Sequence, residues 1–202
     1  MQRKLVFWDV DTQVDFMLPE GKLYVPGAET IIPTLAQLSH WAVKHRVLVV
    51  ASADAHQPND EEFSQYPPHC LAGTPGQRKI PETSLAPQFI ISNRPGAELP
   101  NPELFQQVVL EKQEFDVFTN PSADAFLGRL GKPEIVLYGV VTEICVSSAT
   151  RGLLDRGHRV TLVEDAIQHL DQEKASAFLE EVRARGGRIL TAESLLSSSA
   201  AA

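Results

Sequence analysis

The stretch EIVLYGVVTEICVSSATRGLLDRGHRVTLV, Glu134–Val163, reads as strand, helix, strand. Glu134–Val140 is a short apolar run of the kind buried on both faces of a parallel sheet. A helix is expected from about Glu143 to Arg156, with Gly157 at the position where a left-handed residue ends it. Arg159–Val163 is again a strand. Two strands joined by a helix make a parallel crossover unit, and that unit sets the fold class.

The same alternation continues outward. Lys4–Val10 (KLVFWDV) reads as a first strand with an acidic end, and Trp8 inside it as a core residue. Ile31, Leu35, Leu38 and Ala42 recur at helical spacing, giving a helix that ends near His45. Arg46–Ser52 (RVLVVAS) is the second strand. From Asp54 to about Pro87 the pattern breaks into a stretch rich in Pro, Gly, Asp and His, and so long an irregular segment is usually functional. Phe89–Ser92 and Val108–Glu111 are further strand candidates, and Ser122–Leu130 is a short helix. Asp171 caps a charged helix reaching Arg185, which Gly186-Gly187 stops. Arg188–Thr191 is an edge-strand candidate, and the SSSAAA tail is expected to fray. The expected fold is α/β: a three-layer α/β/α arrangement on a mostly parallel central sheet of about five or six strands. Residues 1–202 are expected to form one domain.

Composition narrows the function. The chain carries 18 Lys+Arg against 26 Asp+Glu, a formal net charge of −8, which argues against nucleic acid as a partner. No apolar run approaches the ~18–20 residues of a membrane span. The start, MQRKLVFWDVDTQ, reaches acidic residues too early for a signal peptide, so a cytoplasmic location is expected. Cys70 and Cys145 are the two cysteines, too few for a disulfide framework. Neither GxGxxG after the first strand nor GxxxxGK[ST] occurs, so the common nucleotide-binding versions of the architecture lack support.

Ligands of open α/β sheets bind at the carboxyl ends of the strands. Asp11, Gln13 and Asp15 follow the first strand, Asp54 and His56 the second, Lys112 the Val108–Glu111 strand, and Cys145 the Glu134–Val140 strand. Each type has an ordinary structural use: an Asp as a turn former, a Lys as a solvated cation, a Cys as a small core residue. Their arrival on one rim favours chemistry. Cys145 falls in the first turn of the expected helix, where the unpaired N–H groups favour a thiolate. Lys112 would push the same way, and Asp11 could serve as the acid–base group. No His stands near Cys145 in sequence; His158 lies past the far end of its helix.

A second constellation is Asp54-Ala55-His56 with His69 in the same long loop. Two imidazoles and a carboxylate suit Zn²⁺, Fe²⁺ or Mn²⁺, with Glu61 and Glu62 as further oxygen donors. D-x-H alone is a weak signal. Cys70 beside His69 reads as a soft ligand or a buried structural thiol.

Together these residues resemble the isochorismatase-like cysteine hydrolases, and within them the nicotinamidases, over nearly the whole chain. DTQVDF (Asp11–Phe16) is similar to the family's D-x-Q-x-D-F, and GVVTEICV (Gly139–Val146) to its G-[VI]-A-T-[DE]-x-C-V. The resemblance implies Asp11 as catalytic acid–base, Cys145 as nucleophile and Lys112 as third catalytic residue. EKQEFDVF (Glu111–Phe118) departs from the Lys-Gly and Tyr-Ser pattern usual in nicotinamidases. Asp54, His56 and His69, the last in YPPHCLAGTPG, resemble that branch's metal site, with Glu62 where many relatives carry a further His. One divalent ion is implied, zinc first, with iron or manganese as alternatives.

The resemblance further implies hydrolysis of nicotinamide to nicotinate and ammonia through a cysteine thioester. The backbone N–H groups of Val141 and Cys145 would form the oxyanion hole, beside a cis Val140–Val141 bond. Phe16 and Tyr66 would sandwich the ring. The expected partner is a small-molecule carboxamide, with no nucleic acid and no membrane, and a homo-oligomer is compatible. The competing readings are another amide or imide hydrolase of the same superfamily and a non-catalytic metal- or ligand-binding relative.

Overall fold

The computed structural model of the chain describes residues 5–199. Seven strands form one sheet in the order β3-β4-β2-β1-β5-β6-β7, and every adjacent pair runs parallel. They are β1 Leu5–Val10, β2 Val49–Asp54, β3 Gln88–Ile91, β4 Gln107–Lys112, β5 Glu134–Val140, β6 Arg159–Gln168 and β7 Arg188–Leu190. The helices are α1 Val14–Met17, α2 Ile32–Lys44, α3 Ala123–Leu130, α4 Ser147–Asp155, α5 Gln172–Ala184 and α6 Ala192–Ser199.

Alternation along the strands sorts the core into two layers. Val6, Trp8 and Val10 of β1 face one side, where Phe126 of α3, Leu153 of α4 and Phe178 of α5 cover them. Phe7 of β1 and Tyr138 of β5 face the other, against Leu35 and Leu38 of α2 and Leu195 of α6. A sheet of parallel strands needs both faces covered, and these helices cover them. Asp171 caps α5 by accepting from the N–H groups of Glu173 and Lys174, as its position in sequence suggests.

Three expectations change. The sheet has seven strands, not five or six, because β3 and the three-residue β7 both pair as edges. The helix after β5 does not start as an α-helix: Thr142–Val146 is a π-type turn, and α4 begins only at Ser147. Ser197–Ser199, expected in a frayed tail, continue α6, whereas Ala200–Ala202 lie outside the described residues. Lys4, expected to begin the first strand, also lies outside them. Among the described residues, no helix is long and apolar enough to cross a membrane.

The chain runs from β1 outward to one side of the sheet and later returns to place β5 on the other side of β1. The crevice at this reversal is where a ligand site is expected.

Candidate active site

Sheet register brings the rim residues together. Asp54 and Lys112 are paired positions at the ends of β2 and β4, and Ser52 pairs with Val10, one residue before Asp11. Asp11 holds a left-handed backbone at φ +50°, rare for a residue with a side chain. Across the reversal, Gly139 adopts φ +120°, and a Cβ there would stand 2.0 Å from the Val10 carbonyl oxygen. Only glycine lets β5 approach β1 this closely. One residue on, the Val140–Val141 peptide bond is cis, as the resemblance implies.

Lys112 lies at the centre of the buried cluster. Its ammonium is 2.9 Å from Asp11 Oδ2, touches Asp54 Oδ1, and is 3.7 Å from Cys145 Sγ. Ser52 Oγ donates to Asp11 Oδ1 at 2.6 Å. Burial works against the Lys112 charge, but the carboxylates of Asp11 and Asp54 outweigh it and push its pKa well above the ordinary lysine value. The two carboxylates thus favour the charged form of Lys112. Burial raises the Asp11 carboxyl, with Lys112 opposing and Asp54 assisting. Burial also pushes the Cys145 thiol well above the ordinary cysteine value; Lys112 pulls down, while Asp11 and Asp54 push up. The helix-start N–H groups expected to favour a thiolate are here those of a π-type turn, and burial acts against them. Cys145 sits inside the π-type turn, buried, with Asp11 and Lys112 as its charged neighbours.

The Asp54-His56-His69 group assembles beside this cluster. The three residues offer ligand atoms within 4.8 Å of one another. His56 Nδ1 meets Asp60 Oδ2 at 2.9 Å, and His69 Nδ1 meets the Pro67 carbonyl at 2.9 Å. Both Nε2 atoms are left buried without a hydrogen-bond partner. They lie 3.7 and 3.8 Å from Asp54 Oδ2, and each lies 3.8 Å from an oxygen of Glu62. Ligands at tetrahedral bond lengths of about 2.0–2.1 Å stand roughly 3.3–3.4 Å apart, so a small contraction would close this set on an ion. Orphaned imidazole nitrogens converging with two carboxylates fit a divalent transition ion. Glu62 joins the group; Glu61 is exposed and does not.

Other motif residues hold the scaffold. Gln13 accepts from the Asp54 N–H at 2.7 Å and donates to the carbonyls of Asp54 at 2.8 Å and Gln77 at 2.7 Å, locking the end of β2. Asp15 accepts from the Cys70 N–H at 2.7 Å, and Gly76 leaves room for it: a Cβ there would lie 2.1 Å from Asp15 Oδ2. Cys70 is buried, its thiol pushed far up by burial; its sulfur lies 3.9 Å from the Gly76 carbonyl, outside the Asp54-His56-His69 group. His158 is buried and pulled down by burial, away from the site.

A cavity of about 110 Å³ opens onto Asp11 and Cys145, with Phe16, Tyr66, Val141 and His69 in its wall. Phe115 and Leu170 also line it, 40% and 55% exposed at its mouth. Neither, nor Ser52 or Asp60, stands out in the sequence. Asp60 alone leaves a trace, as an acid four residues after His56.

A family model described as Isochorismatase domain matches residues 5–194. The nicotinamidase of Escherichia coli (strain K12) is 29% identical over 204 residues, covering 90% of this chain and 92% of that protein. A streptothricin hydrolase of Streptomyces noursei is 34% identical over 162 residues, 78% of this chain but 47% of that protein. Among solved structures, the pyrazinamidase of Pyrococcus horikoshii in complex with zinc superposes with a TM-score of 0.75 at 26% identity, covering 93% of this chain and 99% of that one. With the sheet, the two motifs and the cluster at the β1/β5 crevice all in place, the chain belongs to the isochorismatase family, with nicotinamidases and a pyrazinamidase among the proteins it is similar to.

Proposed function

We propose that this amide-cleaving hydrolase converts nicotinamide to nicotinate and ammonia through a thioester on Cys145, with residues 1–202 as one catalytic domain. The observation that carries the reading is the placement of the Lys112 ammonium, 2.9 Å from Asp11 and 3.7 Å from Cys145, at a cavity walled by Phe16 and Tyr66. A volume of about 110 Å³ is small beside the ~300–1,000 Å³ of pockets for drug-sized ligands, which favours a single-ring carboxamide.

Asp11 takes the Cys145 proton as the sulfur attacks the carboxamide carbon. Because both pKa values are raised by burial, the proton passes between neighbours and a free thiolate need not accumulate. Lys112 remains charged and offsets the negative charge passing between Asp11 and Cys145. The N–H groups of Val141 and Cys145 stabilise the oxyanion. Asp11 returns the proton to the leaving nitrogen, the C–N bond breaks and ammonia departs. Asp11 then takes a proton from water as its oxygen attacks the thioester; the C–S bond breaks, and the thiol regains its proton. Asp54, His56, His69 and Glu62 would hold the divalent metal, whose chemistry there is to bind the ring nitrogen directly or through a water.

A second reading, a different amide substrate for the same cluster, is favoured by Phe115 in the departing EKQEFDVF segment. Ammonia release measured over nicotinamide, pyrazinamide, ureidoacrylate-type amides and carbamoyl amino acids separates the two. Nicotinamide should give the highest kcat/KM. Turnover of another amide with none of nicotinamide would establish the second reading.

A further inference from the structure

Leu170 is 55% exposed, yet it forms part of the wall of the cavity above Cys145. So exposed a side chain has little packing to hold it, and its backbone supplies the restraint. The N–H groups of Leu170 and Asp171 both donate to Glu143 Oε1, at 2.9 and 2.7 Å. Thr142 Oγ1 donates to the carbonyl of Gln168 at 2.9 Å. Thr142 and Glu143 belong to the same five-residue turn as Cys145. The turn that carries the sulfur therefore also grips the segment between β6 and α5. A carboxylate accepting two backbone N–H groups makes the stronger, charge-assisted kind of hydrogen bond. Glu143 Oε2 is buried with no hydrogen-bond partner, so hydrogen bonding by the carboxylate is confined to this grip.

Beyond Leu170 lies a groove of about 450 Å³, floored by Glu143, Ser147 and Arg151. Tyr66, Phe115, Ile144 and Leu170 line both this groove and the inner cavity of about 110 Å³. These four side chains form a partition between the two spaces. Tyr66 and Phe115 brace each other edge to face, with ring centroids 6.1 Å apart. Leu170 is the member of the partition that hangs on the Glu143 contact.

We propose that Leu170, held by Glu143, is the size filter of the site: it confines the acyl part of the substrate to a single ring and excludes ring carboxamides bearing bulky substituents. Glu143 is then a positioning residue that acts through Leu170. This rests on the amide-hydrolase reading above.

Cys145 alkylation tests the filter without requiring any amide to be a substrate. Rates are measured with iodoacetamide and with a naphthyl-substituted iodoacetamide, and the labelled cysteine is identified by peptide mass. The wild type should strongly prefer the small reagent. Leu170→Ala should narrow that preference tenfold or more, and Leu170→Trp, at an exposed position the fold tolerates, should widen it. Glu143→Ala should match Leu170→Ala, and the double variant should go no further than either alone. Glu143→Gln, whose Oε1 can still accept both N–H groups, should keep the wild-type ratio. An unchanged ratio in both Leu170 variants overturns the filter. Additive effects of Glu143→Ala and Leu170→Ala, or no effect of the former, overturn the positioning role. Failure of nicotinamide turnover would leave these ratios readable, so the two readings fail separately.

Discussion

Asp54 and Lys112 stand at paired positions on adjacent strands, and their side chains meet at the floor of the site. Asp54 divides its oxygens: Oδ1 faces the ammonium, while Oδ2 faces the imidazoles of His56 and His69 at 3.7 and 3.8 Å. Burial would raise this carboxyl, but Lys112 and the two histidines reverse that and hold it far below the usual carboxylate range. One carboxylate thus joins the metal-type cluster to the cation that serves Asp11 and Cys145.

Replacing Lys112 with Met should reveal how much rests on that cation. It would leave Asp11 and Asp54 buried without their counter-ion, and breaking a buried ion pair from one side costs about 3–5 kcal/mol. Urea unfolding should show a loss of that order, and kcat/KM should fall by more than a hundredfold. Wild-type stability in Lys112→Met would remove the central role given to this residue.

Ser52 tunes Asp11, and the direction can be read from pH. Asp11 acts as a base only when ionised, so activity falls as pH drops through its pKa. Burial raises that pKa above the ordinary 3.8, and the hydrogen bond from Ser52 opposes the rise. Ser52→Ala removes the opposition, so the acid limb of kcat/KM should move to higher pH, by about one unit for a hydrogen bond of ~1–1.5 kcal/mol. An acid limb that stays in place, or moves down, would deny Asp11 the role of base.

The two cysteines should separate cleanly. Cys145→Ala should abolish turnover and leave the fold intact, because the sulfur lines the cavity and the substitution removes a single atom from the core beside it. Cys70→Ala should retain most activity: its thiol contributes a 3.9 Å contact to the Gly76 carbonyl, while the Asp15 contact uses its backbone N–H and survives. Labelling of Cys70 in place of Cys145 by an active-site alkylator would reverse the assignment.

Much of this was legible because strand ends are legible. Apolar runs fix where β1, β2, β4 and β5 stop, and the residue at or just after each stop is a rim residue; Asp11, Asp54 and Lys112 follow from that. The edge strands were harder, since β3 leaves Ile90 52% exposed and β7 is three residues long, so neither has a full buried pattern. The π-type turn at Cys145 could not be separated from an α-helix, because five residues carry too little periodicity to distinguish them. Ser52, Asp60, Phe115 and Leu170 reach the site through register and loop path. A hydroxyl beside Asp11 depends on Ser52 pairing with Val10, which no local pattern displays.

Metal loading and chemistry should come apart on one side of Asp54 and not on the other. His56 contacts no member of the Asp11-Lys112-Cys145 cluster directly, so His56→Ala should raise KM for nicotinamide much more than it lowers kcat, the signature of lost uniform binding. Asp54→Ala removes a metal donor and one of the two carboxylates on Lys112 together, so it should lower kcat as well. Asp60→Ala leaves every donor atom present but frees His56 Nδ1, the nitrogen that sets which tautomer presents Nε2. Loss of such a partner commonly weakens metal binding by about 10–100-fold. Chelator competition and metal analysis of protein purified without chelator give the affinities directly, with no need for turnover. Equal kcat in Asp54→Ala and His56→Ala would separate the metal-type cluster from the cysteine chemistry. Undiminished metal affinity in Asp60→Ala would show that the orientation of His56 is set by packing against Phe63 and His69, whose ring centroids lie 5.1 and 4.8 Å away.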